Sequence, residues 1–169
     1  RWVITRKPGK TLIVKARIVA QQVAHGHEHR AANFAATPAS IAQGLVWWWT
    51  QHFGCVAFLG DVSTAFLHAP LQKKHQVVLV PPSTLHLSCE WLPRKAIYGL
   101  QVSPHEFQEF AADVVVKIGG RRCVHDSQLF VFDCFKALVS IHADDLLVSC
   151  PREHVEGFRA ALGAHMLIK

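Results

Sequence analysis

Residues 137–141 and 146–148 are short apolar, β-prone runs on either side of His142-Ala143-Asp144-Asp145. Runs of this length, bounded by turn-forming residues, read as strands, with residues 142–145 as the turn between them. Residues 129–132 form another run of the same kind. No other stretch constrains the fold as much, because short strands in close succession imply an antiparallel sheet.

Helices follow from period and punctuation. Ser103-Pro104-His105-Glu106 has the form of a capping box with Pro at the first helical position. Behind it Phe107, Phe110, Ala111, Val114, Val115 and Ile118 recur at helical spacing until Gly119-Gly120 ends the run. Thr37-Pro38 reads as an N-cap and first turn of a helix over 38–52, continued by Ile41, Leu45, Trp48 and His52. Trp47, Trp48 and Trp49 face three directions on such a helix, so at least one indole faces outward. Pro151 opens a final helix with Val155, Phe158 and Leu162 turned inward.

Near the start, residues 2–5 and 12–20 are β-prone runs joined by Lys7-Pro8-Gly9-Lys10, which predicts a hairpin. Residues 55–59 predict a buried strand ending at Gly60-Asp61, residues 63–67 a helical turn stopped by Pro70, and residues 77–80 a strand ended by Pro81-Pro82. The whole pattern predicts one α+β domain, an antiparallel sheet with helices packed on one face.

The chain has 169 residues, half of them apolar and 18% charged, which fits a folded body with a real core. It has no run of eighteen apolar residues and no signal-peptide pattern at its start, so no transmembrane or secreted segment is predicted. Without an initiator Met it reads as a segment of something longer. The net charge is +6. Arg1, Arg6, Lys7, Lys10, Lys15, Arg17 and Arg30 face only Glu28 in the first thirty residues. A basic end suits a polyanion such as nucleic acid or a nucleoside triphosphate, or simply keeps the surface soluble. The five cysteines include no C-x-x-C pair, which indicates reduced intracellular thiols, without a zinc site or disulfide framework. His25-Gly26-His27-Glu28-His29 reads as a metal site or, more commonly, an exposed loop.

Asp144-Asp145 is the most chemically informative pair. Two adjacent carboxylates between apolar strands repel and lose hydration unless a cation or donors compensate. Mg²⁺ suits them because it takes oxygen ligands and keeps several waters. By itself the pair is more commonly a solvated turn. Asp61, closing an apolar strand beside Phe66, is either a third ligand from a neighbouring strand or the N-cap of the turn that follows. The metal reading explains both features at once.

These residues resemble the reverse transcriptase domain of Ty1/copia-type retrotransposon Pol polyproteins over nearly the whole chain. Lys15-Ala16-Arg17-Ile18-Val19-Ala20 resembles the family's fingers hairpin, and Phe34-Ala35-Ala36-Thr37-Pro38 the lead into its first long helix. Asp61-Val62-Ser63-Thr64-Ala65-Phe66-Leu67 is similar to its first catalytic motif. Ala96-Ile97-Tyr98-Gly99-Leu100-Gln101-Val102-Ser103-Pro104 resembles the next block, and His142-Ala143-Asp144-Asp145 stands where Tyr-Val-Asp-Asp belongs. Five blocks in the right order make a specific signal.

The resemblance implies a right-hand polymerase's fingers (about 1–36 and 70–102) and palm (about 37–69 and 103–169), with the thumb absent. It implies template-directed transfer of a nucleotide from dNTP to a primer 3′-hydroxyl. Two Mg²⁺ ions, replaceable by Mn²⁺, would be held by Asp61, Asp144, Asp145 and the carbonyl of Val62. Lys15 and Arg17 would grip the triphosphate, Phe66 would exclude a ribose 2′-hydroxyl, and Gly99 would give the incoming base close approach. Leu100, Gln101, Ser103 and His142 would lie near template and primer. On their own, Phe66 reads as a core aromatic, and Lys15 and Arg17 as a solvated strand face.

Implied partners are an RNA or DNA template with its primer, dNTP, and the rest of a Pol polyprotein (thumb, RNase H, integrase), with no membrane. The implied location is a cytoplasmic virus-like particle or the nucleus. His142 and Ala143 depart from the family pattern. The alternative reading is a catalytically inactive remnant that keeps the fold and weak nucleic-acid binding.

Overall fold

The computed structural model describes residues 1–7, 13–22 and 34–169. The hairpin turn around Pro8-Gly9 and the histidine cluster at 25–29 lie outside them. Two antiparallel sheets and, among the described residues, three α-helices make a mixed α+β fold. β1 (Trp2–Lys7) and β2 (Ile13–Ile18) pair as the predicted hairpin, with Val3 opposite Arg17 and Thr5 opposite Lys15. The five-stranded sheet has the order β3 (Val56–Asp61), β7 (Asp145–Cys150), β6 (Ala137–His142), β5 (Leu129–Phe132), β4 (Arg121–Arg122). The two-residue strand β4 has no periodic signal and is not predicted by the sequence.

Helices cover both faces of this sheet, not one. Alternation along the strands assigns the faces. Leu129 and Leu138 pack with Ala42 and Val46 of α1 (Ser40–His52). Phe130, Val139, Ile141, Leu146 and Val148 pack on the other face. There they meet Phe107, Ala111 and Val115 of α2 (Ser103–Lys117), together with Phe158 and Leu162 of α3 (Val155–Gly163). Five of the six residues of β6 are buried, as a strand covered on both sides requires.

Several local expectations change. α1 begins at Ser40 rather than at Pro38, with the Ala39 N–H donated to Asp126 Oδ2 at 2.9 Å. The recurring Ile41, Leu45, Trp48 and His52 lie on its outer side, with Ile41 81% exposed. Ala42 and Val46 share that period one residue on, and their small side chains let the helix approach the sheet.

The capping box at α2 does not form. Ser103 Oγ donates back to the Ile97 carbonyl at 2.6 Å, and Glu106 turns to the Nδ1 of His75. Both side chains are buried among tertiary partners, which outcompete the local cap. Residues 77–80 do not form the predicted strand and bridge only through Leu79 and Trp91. The Pro81-Pro82 that follows has no N–H to continue a ladder. At the hairpin between β6 and β7, His142 and Asp145 belong to the strands, and only Ala143 and Asp144 form the turn. No helix among the described residues is long and apolar enough to cross a membrane.

Candidate active site

Asp61 is the last residue of β3 and Asp145 the first of β7, and the register sets them directly opposite one another. His142, the last residue of β6, is opposite Asp145 from the other side. Directly opposed residues in antiparallel strands project from the same face. His142, Asp145 and Asp61 therefore form one row across three strands, on the face that carries α1. Asp144 sits in the turn, and its carbonyl accepts the Val62 N–H at 2.9 Å. That bond ties the turn to the strand carrying Asp61.

The outer side of β3 is held as firmly. The Asp61 N–H donates to the Lys169 carbonyl at 3.2 Å, and the Lys169 N–H returns to the Asp61 carbonyl at 2.9 Å. The Ser63 N–H reaches the Leu167 carbonyl at 2.8 Å. Gly60 permits this approach, since a Cβ there would stand 2.9 Å from Cγ2 of Ile168. Val62 is buried at 1% exposure and anchors the motif in the core.

Asp61, Asp144 and Asp145 are all exposed. Like charges directly opposite on neighbouring strands destabilise a sheet, so the Asp61–Asp145 pair works against folding unless something positive offsets it. Among the described residues, no three His, Cys, Asp or Glu side chains are gathered closely enough to hold a metal ion as they stand. The donor chemistry nonetheless fits a hard divalent cation, because all three acids offer oxygen. Their backbones adjoin through the β3–β7 register and the Val62–Asp144 bond.

Ala143 takes φ +52° in the two-residue turn. A β-branched residue is a genuine outlier at positive φ, whereas Ala carries the smallest side chain that still has a Cβ. Ala therefore strains this turn less than a β-branched residue would.

A second group lies where the hairpin meets the segment after Asp61. The Arg17 guanidinium sits 4.9 Å from the centre of the Tyr98 ring. Tyr98 packs on Phe66 at 4.7 Å, and Phe66 on Phe107 at 6.1 Å. This run of rings leads from the hairpin into the core, so Phe66 is both half-buried and part of the site's edge. Lys15 is exposed on the same face of β2 as Arg17, two residues away.

Gly99 has φ +90°, and a Cβ there would come within 2.1 Å of the Ala20 carbonyl oxygen. The glycine is required by this backbone approach, which is closed by the Ala20 N–H donating to the Tyr98 carbonyl at 2.8 Å. Leu100 and Ser103 are buried and frame the loop from within, while the Gln101 N–H donates to Gln22 Oε1 at 2.8 Å.

An open cleft of ≈ 470 Å³ adjoins this group, walled by Arg17, Thr64, Leu67, Trp91 and Tyr98 among others. None of the three acids lines it. The structure thus brings the acids, Val62 and His142 together, and separately gathers Arg17, Phe66 and Gly99. The stretch Asp61–Phe66 joins the two groups. Two parts of the site escape sequence reasoning. Tyr98, the chain's one tyrosine, carries the signal of its uniqueness beside Gly99. Leu167–Lys169 carry no local signal, because their role is a backbone pairing with distant residues.

Comparison with protein-family models gives no match, and comparison with curated proteins gives none either.

Proposed function

We propose that the chain is the reverse transcriptase domain of a copia-type retrotransposon, an RNA-directed DNA polymerase that transfers a nucleotide from dNTP to a primer 3′-hydroxyl. The observation that carries this reading is the matched register of Asp61 and Asp145, with Asp144 bonded through its carbonyl to Val62. Two motifs far apart in sequence thereby meet at one end of an antiparallel sheet, which supports a role in two-ion phosphoryl transfer.

Asp61, Asp144 and Asp145 hold two Mg²⁺ ions in this reading, with Mn²⁺ able to substitute and the Val62 carbonyl a further ligand. Bound ions supply charge stabilisation at the attacking and leaving oxygens. Arg17 and Lys15 bind the triphosphate, the guanidinium as a planar fork and the ammonium as a point charge. The stacking of Arg17 on Tyr98 favours its role, because a guanidinium already oriented loses less entropy on binding. Phe66, wedged between Tyr98 and Phe107, limits the room beside a ribose. Leu100, Gln101, Ser103 and His142 lie near template and primer, and the remainder of a Pol polyprotein supplies the grip on the duplex.

One observation favours a second reading, the inactive remnant that binds nucleic acid weakly: the acids do not converge on an ion as they stand. Primer extension on poly(rA)/oligo(dT) with Mg²⁺ or Mn²⁺ separates the two. The polymerase reading expects short, distributive products from the parent chain and none from the Asp144→Asn, Asp145→Asn double variant. No extension by a parent shown to be folded by circular dichroism establishes the remnant.

A further inference from the structure

The row of His142, Asp145 and Asp61 does not face open solvent alone. A cavity of ≈ 210 Å³ lies beside it, under α1, bounded by Trp47 and Gln43 from the helix and by Leu59, Ser140, His142 and Asp145 from the sheet. At about 30 Å³ per water it has room for roughly seven waters. Its walls mix apolar and polar groups. Trp47 is 52% exposed and Leu59 67% exposed, yet both border a carboxylate and an imidazole. The helix itself, Ser40–His52, contains no Lys, Arg, Asp or Glu.

We propose that this cavity receives an unpaired 3′-terminal base of the primer strand, stacked on the Trp47 indole, an inference that rests on the polymerase reading above. Three features select a base over other parts of a nucleotide. An indole face offers stacking to any base, whatever its sequence. The Gln43 amide presents both a donor and an acceptor to a base edge, as does the Ser140 hydroxyl. Asp145 and the absence of cations on α1 disfavour a phosphate there, since like charges repel and nothing offsets the repulsion. The position is set by the same carboxylate. Asp145 both lines the cavity and stands opposite Asp61, so a primer end held at these acids has the cavity beside it. A terminal base seated on Trp47 is withdrawn from pairing, so the cavity competes with extension and favours ends that fray.

The test uses a short single-stranded oligodeoxynucleotide with 2-aminopurine at its 3′ end, in buffer with EDTA, so that no divalent ion contributes. Binding is followed by fluorescence anisotropy and stacking by quenching of the 2-aminopurine. The parent chain is expected to bind and quench. Trp47→Ala is expected to lose the quenching and to bind about tenfold more weakly, as removal of one base–aromatic stack does. Trp47→Phe keeps part of both effects, which separates stacking from a folding defect, and Trp48→Ala on the neighbouring position changes neither. Binding by the parent with quenching unaltered in Trp47→Ala overturns this proposal and leaves the polymerase reading intact. No binding of the oligonucleotide by the folded parent overturns this proposal, and the polymerase reading falls with it only if primer extension with Mg²⁺ or Mn²⁺ fails as well.

Discussion

Toward α2 and α3, the central sheet presents Phe130, Phe132 and Ile141 to Phe107 and Leu162, all at 1% exposure or less. Toward α1 the corresponding cluster is small, with Ala42, Val46, Leu129 and Leu138 at its centre. The first face is a continuous aromatic core, whereas the second thins toward its end, where the ≈ 210 Å³ cavity and the acidic row begin. Dense apolar packing supplies most of a domain's stability, and uncompensated carboxylates subtract from it. The molecule separates the two. Asp61 and Asp145 stand on the thinly covered face, at strand ends anchored by backbone bonds, with Asp144 in the turn beside them.

Substitutions on the two faces should therefore differ in size and kind. The largest loss is expected from Phe130→Ala, which empties a fully buried ring site and costs about 3–5 kcal/mol in urea unfolding. For a domain whose whole stability is about 5–15 kcal/mol, that approaches unfolding. Val46→Ala on the α1 face removes less apolar volume and should cost about 2 kcal/mol. A similar cost for both would erase the contrast between the faces.

Ala143→Val forces a β-branched residue into positive φ in the turn beside the acids. It should cost about 1 kcal/mol and depress primer extension more than it depresses stability. A further change is set by pH. Burial pushes the Cys150 thiol up to about 11 from its ordinary 9.0. Because the folded state then keeps a proton that the unfolded state loses, this contribution is complete below pH 9 and declines as pH rises through 11. Denaturation midpoints of the parent and Cys150→Ala should converge over that window. The smallest effect belongs to the outer side of α1, where Ile41→Lys should shift stability by less than about 0.5 kcal/mol.

The sequence is most legible where the signal is local. Short apolar runs locate β3, β5, β6 and β7, and the punctuation of Gly119-Gly120 locates the end of α2. The acids are legible too, because Asp61 and Asp144-Asp145 each close or open an apolar run. The register that sets Asp61 opposite Asp145 is not readable locally, since pairing between distant strands depends on the whole sheet. The buried side of α1 is not legible for a related reason. Ile41, Leu45 and Trp48 are larger than Ala42 and Val46, yet close approach to the sheet selects the smaller residues. Ser103 and Glu106 show the same override, where tertiary partners at Ile97 and His75 displace a local cap. Gly99 is legible as a special position, but its reason lies in the Ala20 carbonyl, nearly eighty residues earlier.

The central claim is that Asp61 and Asp145 act as one unit across the β3–β7 pair. Single-nucleotide incorporation rates for Asp61→Asn, Asp145→Asn and the double variant test it most directly, with folding checked for each. If the two share one function, either single change abolishes most of the activity and the double variant is no worse than the singles. Independent, multiplying losses, or activity retained in either single variant, would contradict the account.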